Sequence, residues 1–117
     1  LFVLPGGMPG TKHLGAHEGL TSLLKKAAAE GKRVAAICAA PSVLGDLGLL
    51  EGKHAACYPG FEDRLKGAQV EFTPVVTDGN ITTSRGMGTA IPFALSLAAQ
   101  LTGAEKAEEL AKGIIYK

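Results

Sequence analysis

The sequence has little cysteine, no excess of either charge and no long uninterrupted apolar run, and each shortage closes off a class of protein. Two cysteines, Cys38 and Cys57, in 117 residues are too few for a disulfide framework and point to a reducing compartment, the cytoplasm. Twelve Lys and Arg stand against eleven Asp and Glu, intermixed along the chain. Such a balance leaves no electrostatic footprint for nucleic acid, and the basic pair Lys25-Lys26 reads as the solvated face of a helix. No apolar stretch reaches the length needed to span a bilayer, and no charged-then-apolar leader opens the chain. Repeats, linkers and low-complexity segments are absent too. What is left is one compact domain over 1–117, 46% hydrophobic and long enough to bury a single core.

The order of elements gives the fold class. Leu1 to Leu4 is a continuous apolar run closed by Pro5-Gly6-Gly7, the pattern of a buried parallel strand entering a loop. It lies at the very start, without an initiating Met, so the expectation is a domain whose first part is missing from this sequence. "HEGLTSLLKKAAAEG" carries Leu20, Leu23, Leu24, Ala27 and Ala28 at helical spacing, with Gly31 placed to end the helix. Val34 to Ile37 predicts a second buried strand, and Pro41 suits the first turn of the helix that follows, where its absent N–H needs no partner. "KHAACYP" predicts a third short strand and "GFEDRLKG" a turn or two of helix. Asp78-Gly79-Asn80 between β-branched runs predicts a hairpin. A helix from Thr89 to Leu101 and a charged amphipathic one over "AEKAEELAKG" complete the chain. Strands alternating with helices argue for an α/β sandwich, a parallel sheet between helical layers.

Chemistry concentrates where strands end. Cys38 closes the second strand just before a helix, and in parallel-sheet proteins ligands bind beyond the carboxyl ends of the strands. Ala36 and Ala40, two residues to either side, are small, as a sharp strand-to-helix nucleophile elbow requires. The adjacent helix start favours a thiolate, the reactive form. A buried, inert cysteine finishing an apolar strand is the competing reading. Gly6 and Gly7 weigh against it, because consecutive glycines at a neighbouring strand end can turn backbone N–H groups into the same crevice to hold an oxyanion. "SRGMGT", Ser84 to Thr89, fails as a dinucleotide fingerprint, since Ile91 stands where a third Gly or Ala belongs. Arg85 in that loop and Tyr58 at the end of the third strand are candidates to line the crevice. His13 and His17 have the spacing of two ligands on a helix but no third partner, so no metal site is expected and they read as surface or capping residues. His54 is a strand residue, and Cys57 reads as packing.

"LFVLPGGMPG", "RVAAICAAPSVLG" and "NITTSRGMGTAIPFAL", in that order and spacing, resemble the DJ/PfpI superfamily in its Parkinson disease protein 7 branch, over essentially the whole chain. The resemblance implies a class I glutamine-amidotransferase-like (flavodoxin-like) α/β/α sandwich, usually dimeric. It implies Cys38 as nucleophile and redox-sensitive thiol, with the backbone N–H groups of Gly7 and Ala39 as its anion pocket. Proteases of the superfamily carry a histidine directly after the cysteine, where this chain has Ala39. Some members of the nearer branch carry one before the proline of "CYP", where this chain has Tyr58. The glutamate that the family places beside the cysteine belongs to a segment before Leu1, and Glu18 has no motif support for that role. Without that segment the sheet would expose an apolar edge, so the missing part is expected as another chain, as an unseen segment, or replaced by partner pairing.

Two functions follow. One is a cofactor-independent thiol enzyme acting on a small aldehyde or glycated substrate, of the glyoxalase or protein deglycase type, in which Cys38 adds to the carbonyl. The other is a redox-responsive stress protein or chaperone signalling through oxidation of Cys38 to the sulfinic acid. A peptidase or amidase ranks third, because no histidine adjoins Cys38.

Overall fold

The computed structural model describes residues 1–116. In chain order they form β1 (Phe2–Leu4), α1 (Gly10–Ala16), α2 (Glu18–Ala29), β2 (Val34–Ile37), α3 (Pro41–Asp46), β3 (His54–Ala55), β4 (Gln69–Val70), β5 (Val75–Asp78), β6 (Ile81–Ser84), α4 (Ala90–Thr102) and α5 (Ala104–Gly113). Short 3-10 turns cover Glu62–Arg64 and Met87–Thr89. The main sheet runs β1-β2-β6-β5, with β1, β2 and β6 parallel and β5 antiparallel to β6. Register pairs Leu4 with Ala36 and Ile37 with Ser84, so the loops after β1, β2 and β6 leave from one end of the sheet.

Alternation along the strands divides the core in two. Leu4, Val34, Ala36 and Ile81 pack against Leu24 and Ala27 of α2 and Val43 and Leu44 of α3. On the opposite face Ala35 meets Phe93 and Leu97 of α4, with Ile37 and Val75 alongside. The result is the helix-sheet-helix layering that the alternating pattern predicts. The hairpin is also where it is expected: Gly79 adopts φ 62° at the β5–β6 turn, a conformation that favours glycine. Asn80 next to it donates its Nδ2 to the carbonyls of Ala28 and Lys32 at 3.2 and 2.8 Å, which ties the turn to the end of α2.

Four details depart from expectation. The sheet is mixed, because the tight hairpin reverses β5. The loop after Gly7 winds into α1, nucleated when the N–H and Oγ1 of Thr11 both donate to the Gly7 carbonyl at 2.8 and 2.9 Å. His13 therefore lies in α1, while His17 caps α2 by accepting the Leu20 N–H at 3.0 Å on Nδ1. The third strand shrinks to His54–Ala55 and pairs in parallel with β4 as a separate two-stranded sheet. Finally, β1 is an edge strand and is not buried on both faces: Val3 is 46% exposed, because α4 covers only the β2–β6–β5 part of its face.

Candidate functional site

The backbone at the end of β2 turns through a left-handed residue. Cys38 has φ 67°, a region that costs a side-chain-bearing residue about 1–3 kcal/mol and persists only where neighbours enforce it. Here they do so from both sides. The Cys38 N–H donates to the Ser84 carbonyl at 3.0 Å, and the Cys38 carbonyl accepts the Tyr58 N–H at 2.8 Å. The chain then enters α3 with Pro41 at its first turn. Ser42 secures that entry, its Oγ donating to the Ala39 carbonyl at 2.6 Å. This is the sharp strand-to-helix elbow that the small residues around Cys38 predict.

Gly6 is a glycine because the elbow lies against it. A Cβ on Gly6 would sit 2.6 Å from the Cys38 Cβ and 2.9 Å from the Ile37 carbonyl oxygen, both closer than a packed Cβ comes, and a tight 3.3 Å from the Ala39 nitrogen. Gly7 follows with φ 92°, and its carbonyl is committed to Thr11. The N–H groups of Gly7 and Ala39 meet no acceptor among the described residues. Cys38 and Gly7 line a cleft of about 340 Å³ together with Gly6, Ile37, Met87 and Ala90, and Ala39 follows Cys38 directly in the chain without itself lining it. A slightly larger hollow of about 380 Å³ between α1 and α3, walled by Met8, Lys12, Val43 and Arg64 among others, has no cysteine in its lining.

Tyr58 and Arg85 are not among the residues that line this cleft. Tyr58 holds the elbow through its backbone, and its ring lies over Gly86, where an added Cβ would be 3.3 Å from the ring. Arg85 extends over the ring of Phe72, 5.5 Å from its centroid. Its Nε is buried without a hydrogen-bond partner. Met87 and Ala90 form the outer wall instead. Sequence reasoning missed them, although the "GMGTA" turn that carries them was in view. His54 opens β3 and bonds Glu71, and no group of three or more His, Cys, Asp or Glu among the described residues is placed to hold a metal ion.

The two thiols differ sharply. Cys57 is 2% exposed, and burial, with the Glu62 carboxylate adding, pushes its thiol up to about 11 against a small opposing effect of Arg85. Cys38 opens onto the cleft.

These features define a class: a three-layer α/β protein with a cysteine on a strained strand-to-helix elbow and unpaired backbone donors beside it. The DJ-1/PfpI family model matches residues 1–100, and the chain belongs to that family. It is 44% identical over 117 residues to Protein dj-1beta of Drosophila melanogaster, covering 98% of this chain and 63% of the relative. The crystal structure of Drosophila melanogaster DJ-1beta superposes with a TM-score of 0.93 at 42% identity, over 98% of this chain and 63% of that one. A protein named Deglycase PH1704, from Pyrococcus horikoshii, is 40% identical over 86 residues, covering 72% of this chain and 51% of the relative. The chain thus spans just under two thirds of the length of its fly relative.

The Cys57 thiol makes a pH prediction. In the folded state its proton is held up to about pH 11, whereas in the unfolded chain it leaves near the ordinary value of 9.0. Between these values the folded state binds the extra proton, so this contribution to stability is complete below pH 9 and is lost as pH rises toward 11. Thermal melts from pH 8 to about pH 11 should show a steeper fall for the parent than for Cys57→Ala. Parallel curves would refute the assignment.

Proposed function

We propose that the chain carries the nucleophilic half of a cofactor-independent thiol enzyme acting on reactive carbonyls, of the glyoxalase or deglycase type. The observation that carries this reading is the conjunction of the left-handed Cys38 with the unpaired N–H groups of Gly7 and Ala39 across the close Gly6 contact. The deglycase-named relative gives it independent support. In the proposed step the Cys38 thiolate forms a C–S bond to an aldehyde carbon, and the carbonyl electron pair moves onto oxygen. The Gly7 and Ala39 N–H groups receive that oxyanion, and such preorganised donors are worth about 3–4 kcal/mol each in barrier. Protonation gives a hemithioacetal. For a 2-oxoaldehyde, proton transfer from the hemithioacetal carbon to the neighbouring carbonyl carbon oxidises the first to a thioester and reduces the second to an alcohol, and water then cleaves the C–S bond to release the 2-hydroxy acid and return the thiol. The acid and base for these proton transfers are not assigned to any residue of this chain.

A second use of the same thiol is favoured by the contrast between the cysteines. The cleft admits an oxidant to Cys38, while Cys57 is buried and held as a thiol, so peroxide would act on Cys38 first. Redox signalling in a stress response is compatible with the carbonyl chemistry, because both begin from the same sulfur.

Two experiments separate these readings. With methylglyoxal as substrate, Cys38→Ala should consume the aldehyde at the uncatalysed rate; turnover equal to that of the parent would end the enzymatic reading. Mild hydrogen peroxide followed by peptide mass spectrometry should add two oxygens at Cys38 before Cys57 changes. Oxidation of Cys57 first, or of neither, would end the sensor reading.

A further inference from the structure

The cleft wall and Cys38 are joined by a partly buried pair of hydroxyls that the proposed chemistry does not itself use. Ser84 Oγ lies 2.6 Å from the Pro74 carbonyl and 2.6 Å from Thr89 Oγ1. Thr89 Oγ1 in turn accepts the Gly86 N–H at 3.1 Å and lies 2.9 Å from the Gly86 carbonyl. A carbonyl only accepts, so the two hydroxyl protons of Ser84 and Thr89 are shared among three contacts: to the Pro74 carbonyl, to the Gly86 carbonyl and between the hydroxyls themselves. With the Gly86 N–H donating to Thr89 Oγ1, the network links the Gly86 turn to Ser84 and the Pro74 carbonyl. Each link polarises the next, and Ser84 is fully buried.

Two members of this network adjoin the site. Ser84 is the residue whose carbonyl receives the Cys38 N–H, one of the two bonds that hold the elbow in its left-handed conformation. Gly86 to Thr89 is the turn that presents Met87 to the cleft and leads directly into Ala90. Gly86 also meets the ring of Tyr58, whose N–H forms the second bond to Cys38. Gly86 has an extended φ of 176°, which any residue adopts, so the ring contact and not backbone freedom accounts for a glycine there. Contacts thus close a ring from Cys38 through Ser84, Thr89, Gly86 and Tyr58 back to Cys38.

We propose that Thr89 and Ser84 are positioning residues, whose hydroxyl relay sets the φ of Cys38 and fixes the Met87–Ala90 wall relative to the thiol. The functional meaning rests on Cys38 as the reacting group, but the coupling is a property of the backbone and is measurable without turnover.

Amide hydrogen exchange of the full chain tests it. Thr89→Val keeps the shape of the side chain and removes the hydroxyl. Exchange at the Cys38 amide should accelerate about tenfold or more, the loss of roughly one buried hydrogen bond, while the Val34 to Ala36 amides of the same strand keep their protection. Thr89→Ser should restore the parental rate. An unchanged Cys38 amide, a uniform acceleration along β2, or a Thr89→Ser variant as fast as Thr89→Val would each overturn the proposal. Should Thr89→Val not fold, the parent still decides: the Cys38 and Gly86 amides should open with the same free energy and denaturant dependence, and different values would refute the coupling. If Cys38→Ala leaves methylglyoxal turnover intact, the enzymatic reading falls while the exchange result stands.

Discussion

Everything distinctive about the site depends on one backbone conformation, the left-handed turn at Cys38. A side-chain-bearing residue does not stay there unaided. Three neighbours from separate parts of the chain hold it: the Ser84 carbonyl at the end of β6, the Tyr58 N–H after β3, and Gly6 after β1, whose missing Cβ leaves room for the turn. The elbow is therefore a tertiary construction, and the parallel sheet exists at this point largely as the frame that brings those strand ends together.

The frame itself rests on side-chain size. Ala35 and Ala36 let α4 and the α2–α3 layer approach β2 from opposite faces. Larger residues there would move the layers apart, and with them the loops that leave the sheet beside Cys38. On the α3 side a similar close approach occurs at Gly45, where an added Cβ would fall 2.1 Å from the Arg64 carbonyl oxygen. Small residues set the spacing of this fold as much as large ones fill it.

Much of this was legible in the sequence. The strand-helix alternation, the hairpin at Asp78-Gly79-Asn80 and the elbow around Cys38 are local signals, written in periodicity and in turn residues, and the structure reproduces them. The family follows from three motifs read together. What escaped were features decided by distant partners. The helix α1 forms in a glycine-rich stretch because Thr11 finds the Gly7 carbonyl. The strand β4 is two residues that pair only because β3 lies beside them. Val3 is half-exposed because its neighbours cover one face and not the other. Met87 and Ala90 reach the cleft wall on the turn after β6, a placement set by where the sheet ends and not by the local order of residues.

The close approach of Gly6 leaves room for the left-handed turn at Cys38, on which the proposed chemistry depends. Gly6→Ala tests it with the smallest change available, the addition of one methyl group at the contact. With the fold retained by circular dichroism, Cys38-dependent consumption of methylglyoxal should fall by about a hundredfold, the usual consequence of a displacement near 1 Å at a reacting atom. A Gly6→Ala protein that works at the parental rate would contradict the account.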